Sequence, residues 1–113
     1  MARGIDSICH RETLKNSGKT IAVIGSSLDI IYPSENKNLV DKIINNGGCI
    51  VSEYPLGTKP EKMNFPARNR IISGLSNGVI VIEAKKKSGT MTTVDFALEQ
   101  GKNVFTIPRK HNK

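Results

Sequence analysis

Acidic side chains are scarce in this chain: ten Asp and Glu stand against 17 Lys and Arg, which leaves a formal charge of +7 over 113 residues. A cationic partner is thereby disfavoured. Nucleic acid or a phosphorylated small molecule is the better expectation, with simple solubility as the plain alternative. Metal-ligand spacing is missing as well. Cys9 and Cys49 stand apart with no CxxC pattern, and His10 and His111 are isolated, so a structural zinc is not expected and the thiols read as those of a cytosolic protein. No stretch approaches the ~18 apolar residues of a membrane span, and Met1 to Asp6 holds no apolar signal core. These absences predict a soluble, cytoplasmic protein without cofactor or membrane partner, built as one small domain over residues 1–107 with a polar tail over 108–113.

What charge there is lies in blocks. Residues 21–53 carry two basic against four acidic side chains, whereas 54–78 carry four against one and 102–113 four against none. The densest basic turn is Asn64-Phe65-Pro66-Ala67-Arg68-Asn69-Arg70, followed by the apolar Ile71, Ile72 and Leu75. It reads as a helix start. Pro66 has no N–H to lose in a first turn, where unpaired main-chain N–H groups and the two guanidiniums would together meet an anion, phosphate above all. The apolar residues behind it would pack on a core.

Four short β-rich runs recur with helical patterns between them: Ile21 to Gly25, Cys49 to Ser52, Val79 to Glu83 and Asn103 to Ile107. Their near-continuous apolar character predicts burial on both faces. Ser34 is placed to cap a helix whose Leu39, Val40, Ile43 and Ile44 share a face and which ends at Gly47-Gly48. A last helix from Thr90 to Gln100 would turn Met91, Val94, Ala97 and Leu98 inward and stop at Gly101. With a partial helix near Ile5 to Asn16 in front, the order is α/β: a Rossmann-like parallel sheet with helices on both faces, lacking its first strand. Ligands of such sheets bind beyond the carboxyl ends of the strands, where Gly25-Ser26-Ser27, the Asn64 to Arg70 stretch and Ser88-Gly89-Thr90 all fall.

Each of these three segments suits an anion. Glycine allows close main-chain approach, and serine hydroxyls with N–H groups can hold a phosphate, although Gly25-Ser26-Ser27 matches neither GxGxxG nor GxxxxGK[ST] and also reads as a simple turn. Lys85, Lys86 and Lys87 could trail along successive phosphates or be only a solvated corner. Tyr32 could stack on a base, at ~1–3 kcal/mol per stacked base; for Phe65, core packing is the simpler reading. Catalysis finds little support. Ser26 has no His and acid partner in a recognisable pattern, and Glu83, a strand-end carboxylate, is a lone acid without a mechanism around it.

With these motifs placed, the chain resembles the DNA-processing protein A family, also called Smf. The likeness runs nearly end to end: Ala2-Arg3-Gly4-Ile5-Asp6 with His10, Gly18 to Ser26 with Leu28-Asp29 and Tyr32-Pro33, Asn46-Gly47-Gly48, Ser52-Glu53-Tyr54-Pro55 with Gly57-Thr58, Asn64 to Ser76, Glu83-Ala84, Ser88-Gly89 and Ala97 to Gly101. The resemblance implies an extended Rossmann fold, single-stranded DNA binding, homodimerisation and loading of a RecA-type recombinase during natural transformation, with no catalysis. Its phosphate-gripping groove would use Gly25, Ser26, Arg68, Asn69, Arg70, Ser88 and Gly89, with Tyr32 beside it. Typical members begin upstream with another strand and a basic phosphate contact, and the residue after Tyr32-Pro33, often basic, is Ser34 here; a truncated gene product or an excised domain is expected, with a sheet edge and apolar surface left uncovered. Two rivals stand beside this reading. One is a nucleotide-processing enzyme resembling the lysine-decarboxylase-like phosphoribohydrolases, with Glu83 and Ser88-Gly89-Thr90 acting on a nucleoside monophosphate; the segment Lys86 to Thr93 lacks that group's glycine pair and glutamate. The other is an inactive remnant that dimerises through its last helix and strand.

Overall fold

A computed structural model describes residues 5–82 and 89–107. The chain divides into two compact units, Met1–Asn64 and Phe65–Lys113. In the first, helix α1 (Ile5–Lys15) leads into strand β1 (Ile21–Val23), a 3-10 turn (Ser34–Asn36), helix α2 (Lys37–Asn45) and strand β2 (Cys49–Val51). The two strands are parallel, with Ile21 opposite Cys49 and Val23 opposite Val51, so the expected βαβ unit forms. Pairing runs one residue beyond β1, where the Ile24 N–H donates to Val51 O at 3.0 Å; Gly25 then turns the chain away, which is why the strand is shorter than its apolar run.

The core of this unit is Ala22, Leu39, Val40 and Ile43, with Leu14, Ile31 and Ile50 packed around it. Ile44, expected on the same face, is 53% exposed. Adjacent helix residues point ~100° apart, and the inward position next to Val40 is taken by Ile43. Ser34 is not a helix cap either. It opens the 3-10 turn after Pro33, and α2 starts at Lys37 with no side-chain cap. The reason lies at Asn36, which is buried, with its N–H donating to Pro33 O (3.0 Å) and its amide to Ser7 Oγ of α1 (3.5 Å); the tight turn serves that buried anchor.

The end of α2 follows the sequence closely. Gly47 adopts φ +84°, its N–H donates to Ile44 O and that of Gly48 to Ile43 O, the paired bonds that close a helix through a left-handed residue. A Cβ on Gly48 would lie 2.2 Å from Thr20 O, so the approach of this turn to the segment entering β1 requires glycine.

The second unit holds most of helix α3 (Asn64–Gly74), strand β3 (Gly78–Val81), helix α4 (Gly89–Glu99) and strand β4 (Asn103–Thr106). β3 and β4 are parallel, Gly78 opposite Asn103 and Val81 opposite Thr106. α4 packs along both strands and buries Val94 and Ala97. Burial on both strand faces, expected from the apolar runs, does not occur here. Val81 is buried while Ile80, Ile82 and Phe105 are 65%, 49% and 57% exposed, because successive strand residues face opposite ways and α4 covers one of those ways. Leu98 is likewise outward, beside the inward Ala97. α3 departs further from expectation. Its buried residues are polar, Arg68, Asn69 and Ser73, and Leu75 is exposed. No helix among the described residues is long and apolar enough to cross a membrane.

The reassigned face of α2 is testable. Ile43→Ala is expected to destabilise the protein by roughly 2–5 kcal/mol, and Ile44→Ala by under about 1 kcal/mol because Ile44 is already in water; chemical denaturation of the two variants separates them.

Candidate functional site

At the end of β1 the chain must satisfy main-chain groups that the ladder no longer pairs. Side chains from later in the first unit do this. The Asn64 amide donates to Gly25 O (2.8 Å), and the Ser52 hydroxyl donates to Ser26 O (2.6 Å) while accepting the Tyr54 N–H. Ser26 and Ser27 are themselves buried. The Ser26 hydroxyl donates to Ile30 O (2.6 Å) and that of Ser27 to the Asp29 carboxylate (2.5 Å), with Thr58 O a further 3.1 Å contact. The Ser26 hydroxyl and the Gly25 and Ser26 carbonyls, expected beside a phosphate, are thus bonded to protein partners. What the loop shows to solvent is Leu28, Asp29 and Tyr32.

A second turn docks on this loop. Thr58 N–H and Thr58 Oγ1 both donate to Pro55 O, and Gly57, at φ +87°, takes the left-handed position that the third residue of such a Pro-x-Gly turn needs. The Gly57 N–H donates to Asp29 Oδ1 (3.1 Å) and the Ser27 N–H to Thr58 O (3.1 Å). Asp29 thus accepts from both turns on one oxygen. The Ser27 hydroxyl first, then the Gly57 N–H, hold its carboxyl below the usual carboxylate range.

In the second unit the two arginines of α3 part company. Arg70 is exposed, whereas Arg68 is 5% exposed, with its guanidinium carbon 5.8 Å from the Phe65 ring centre, within cation–π reach. The expected pair of outward guanidiniums is thus one outward and one inward. Arg68 Nε donates to Asn69 Oδ1 (3.0 Å), and the Asn69 amide donates to Gly89 O in the first residue of α4 (3.0 Å). The chain Arg68–Asn69–Gly89 fixes the start of α4 against the middle of α3. The segment just after α4 is held too: Gln100 Nε2 donates to Arg70 O (3.1 Å) and Lys102 Nζ to Gly74 O, in the last residue of α3 (3.4 Å). Arg70 accordingly lies on a helix held at its middle and at its last residue.

Glu83, Lys85, Lys86, Lys87 and Ser88 lie outside the described residues, as does the tail from Pro108. Among the described residues no group of three or more His, Cys, Asp or Glu could hold a metal ion. The residues that sequence reasoning did not assign a role are Ser52, Asn64, Asp29 and Gln100. Asp two positions after Ser is a recognisable turn signal; the long-range amide bonds of Asn64 and Gln100 leave no local signature.

Because its lowered pKa reflects bonds made only in the fold, Asp29 contributes stability that is fully present above the ordinary value near ~4 and lost as pH falls through the lowered folded value. The melting-temperature gap between wild type and Asp29→Asn should be constant above about pH 5 and close below about pH 4, as followed by circular dichroism.

Known proteins share both the sequence and this architecture. The family model for DNA recombination-mediator protein A matches residues 1–113. The DNA processing protein DprA of Streptococcus pneumoniae is 54% identical over 96% of this chain, which spans 38% of that protein's length. The X-ray structure of DNA processing protein A from the same species matches with a TM-score of 0.87 at 52% identity, over 96% of this chain and 38% of that one. The DNA processing protein A of Helicobacter pylori, solved for its single-stranded DNA binding mode, matches with a TM-score of 0.76 at 31% identity, over 95% of this chain and 59% of that one.

Proposed function

The chain belongs to the DNA recombination-mediator protein A family, and on that premise we propose that it binds single-stranded DNA through the phosphate backbone. The observation that carries this reading is the exposed Arg70 on a helix bonded through Asn69 and the Arg70 carbonyl to the start of α4 and to the residue after its end, in a chain with a formal charge of +7. A guanidinium carried on a fixed helix offers its charge to a phosphate oxygen from a defined direction, and binding then has little main-chain order left to set. Asn69 and the buried Arg68 act from behind, by holding Gly89 and with it the start of α4. Ser88 and Gly89 would meet phosphates with main-chain N–H groups at that helix start, Lys85, Lys86 and Lys87 would trail along the same backbone, and Tyr32 would offer a ring to a base. Gly25 and Ser26 set the shape of the loop that carries Tyr32.

Nothing in this grip reads base edges, so binding is sequence-tolerant and salt-sensitive. It also requires no catalytic step. In the cell the reading extends to a cytoplasmic protein that pairs with a second copy and hands single strands to a RecA-type recombinase during DNA uptake, an extension supported by family membership.

Fluorescence anisotropy with a labelled oligothymidine at two salt concentrations tests the proposal. Arg70→Ala should weaken binding about tenfold, the equivalent of ~1.4 kcal/mol, and flatten the dependence of log K on log salt by ~0.7, the slope that neutralising one phosphate of a single strand supplies. Arg68→Ala should instead lower the melting temperature. Wild-type binding that ignores salt, or an Arg70→Ala protein that binds as wild type does, contradicts it.

A further inference from the structure

Asp29 is out of place by charge. It is an exposed carboxylate on the loop that carries Tyr32, in a protein read as a ligand for a polyanion, and an unpaired acid there would repel the strand. Its surroundings explain what it does instead. Within its own loop the Ile30 N–H donates to Ser27 O (3.1 Å), so Asp29 sits at the third position of a four-residue turn and reaches back to the Ser27 hydroxyl. Across to the second turn it accepts the Gly57 N–H, a donor that faces it because Gly57 is in the left-handed conformation. No atom lies within 4 Å of a Cβ built on Gly57; the glycine is there for its backbone angle and not for lack of room. Ser27 is fully buried between the two acceptors, Asp29 and Thr58 O.

We propose that Asp29 is a positioning residue for DNA binding: its carboxylate locks the Ser27–Ile30 turn to the Pro55–Thr58 turn and so fixes the loop that presents the exposed Leu28 and Tyr32 in the conformation that meets the strand. The inference rests on the single-stranded DNA reading above. It assigns Asp29 no contact with DNA; its negative charge is a cost that the two hydrogen bonds outweigh.

Charge and clamp are separable. In Asp29→Asn the amide oxygen still accepts from Ser27 and Gly57 while the charge is gone; in Asp29→Ala both are gone. Binding of a labelled oligothymidine and hydrogen exchange of the Gly57 amide are measured on the full chain of wild type and both variants. The clamp predicts that Asp29→Asn binds as tightly as wild type or more tightly, that Asp29→Ala binds at least threefold more weakly, and that the Gly57 amide exchanges at least tenfold faster in the alanine variant alone. Ser27→Ala, which removes one of the two donors, should reproduce part of the loss and keeps the test decisive if Asp29→Ala fails to fold. If both Asp29 variants bind equally tightly, or if Gly57 exchange is unchanged in Asp29→Ala, the clamp is overturned and the DNA reading stands. If wild type itself does not bind the oligonucleotide, the DNA reading falls, and the clamp's role in binding falls with it.

Discussion

A parallel strand hands its chain to a turn whose main-chain groups have lost their ladder partners, and in the first unit those groups are satisfied from a distance. Gly25 O is met by Asn64, Ser26 O by Ser52, and the Ser27 N–H by Thr58 O, so three later segments converge on the end of β1. The loop from Gly25 to Tyr32 has its shape because of these bonds. Without them Gly25, Ser26 and Ser27 would bury unpaired polar groups, each at a cost of about 1–3 kcal/mol. The burial of both serines follows from the same requirement, and Leu28, Asp29 and Tyr32 are the residues of this loop left exposed.

In the second unit the same logic is run with a charge. Arg68 is buried beside Phe65 and Asn69, and Asn69 relays its position to Gly89. A buried guanidinium is costly unless its donors are met, and once met it admits few alternative packings. The polar inner side of α3 is therefore what fixes the helix, and Arg70, in the same turn as the buried pair, inherits a defined direction. One arginine builds the platform and the other stands on it.

Much of this was legible in the residues. Strands, helices and their order follow from apolar runs and from Gly47-Gly48 and Gly101, where the positive φ values of Gly47 and Gly101 end α2 and α4 as glycine allows. The residues grouped around α3 were also found from sequence. Which of them faces in was not. Arg68 and Arg70 are two apart in the same turn, and what separates them is the Phe65 ring three residues before Arg68 and the Asn69 amide that ties Arg68 on to Gly89. The misread of Ile44, Leu98 and Ile80 has a common cause: an apolar residue adjacent to a buried one is indistinguishable from it by composition, while a helix turns ~100° and a strand 180° per residue. The 3-10 turn at Ser34 was hidden for a different reason, since it depends on Asn36 reaching Ser7, 29 positions earlier.

The claim on which the functional account depends is that single-stranded DNA is gripped at Arg70 and the start of α4. Amide chemical-shift mapping during titration with oligothymidine tests it most directly. The account predicts the largest shifts at Asn69, Arg70 and Gly89. Shifts confined to the exposed side of β3 and β4, around Ile80 and Phe105, with Arg70 and Gly89 unmoved, would contradict it.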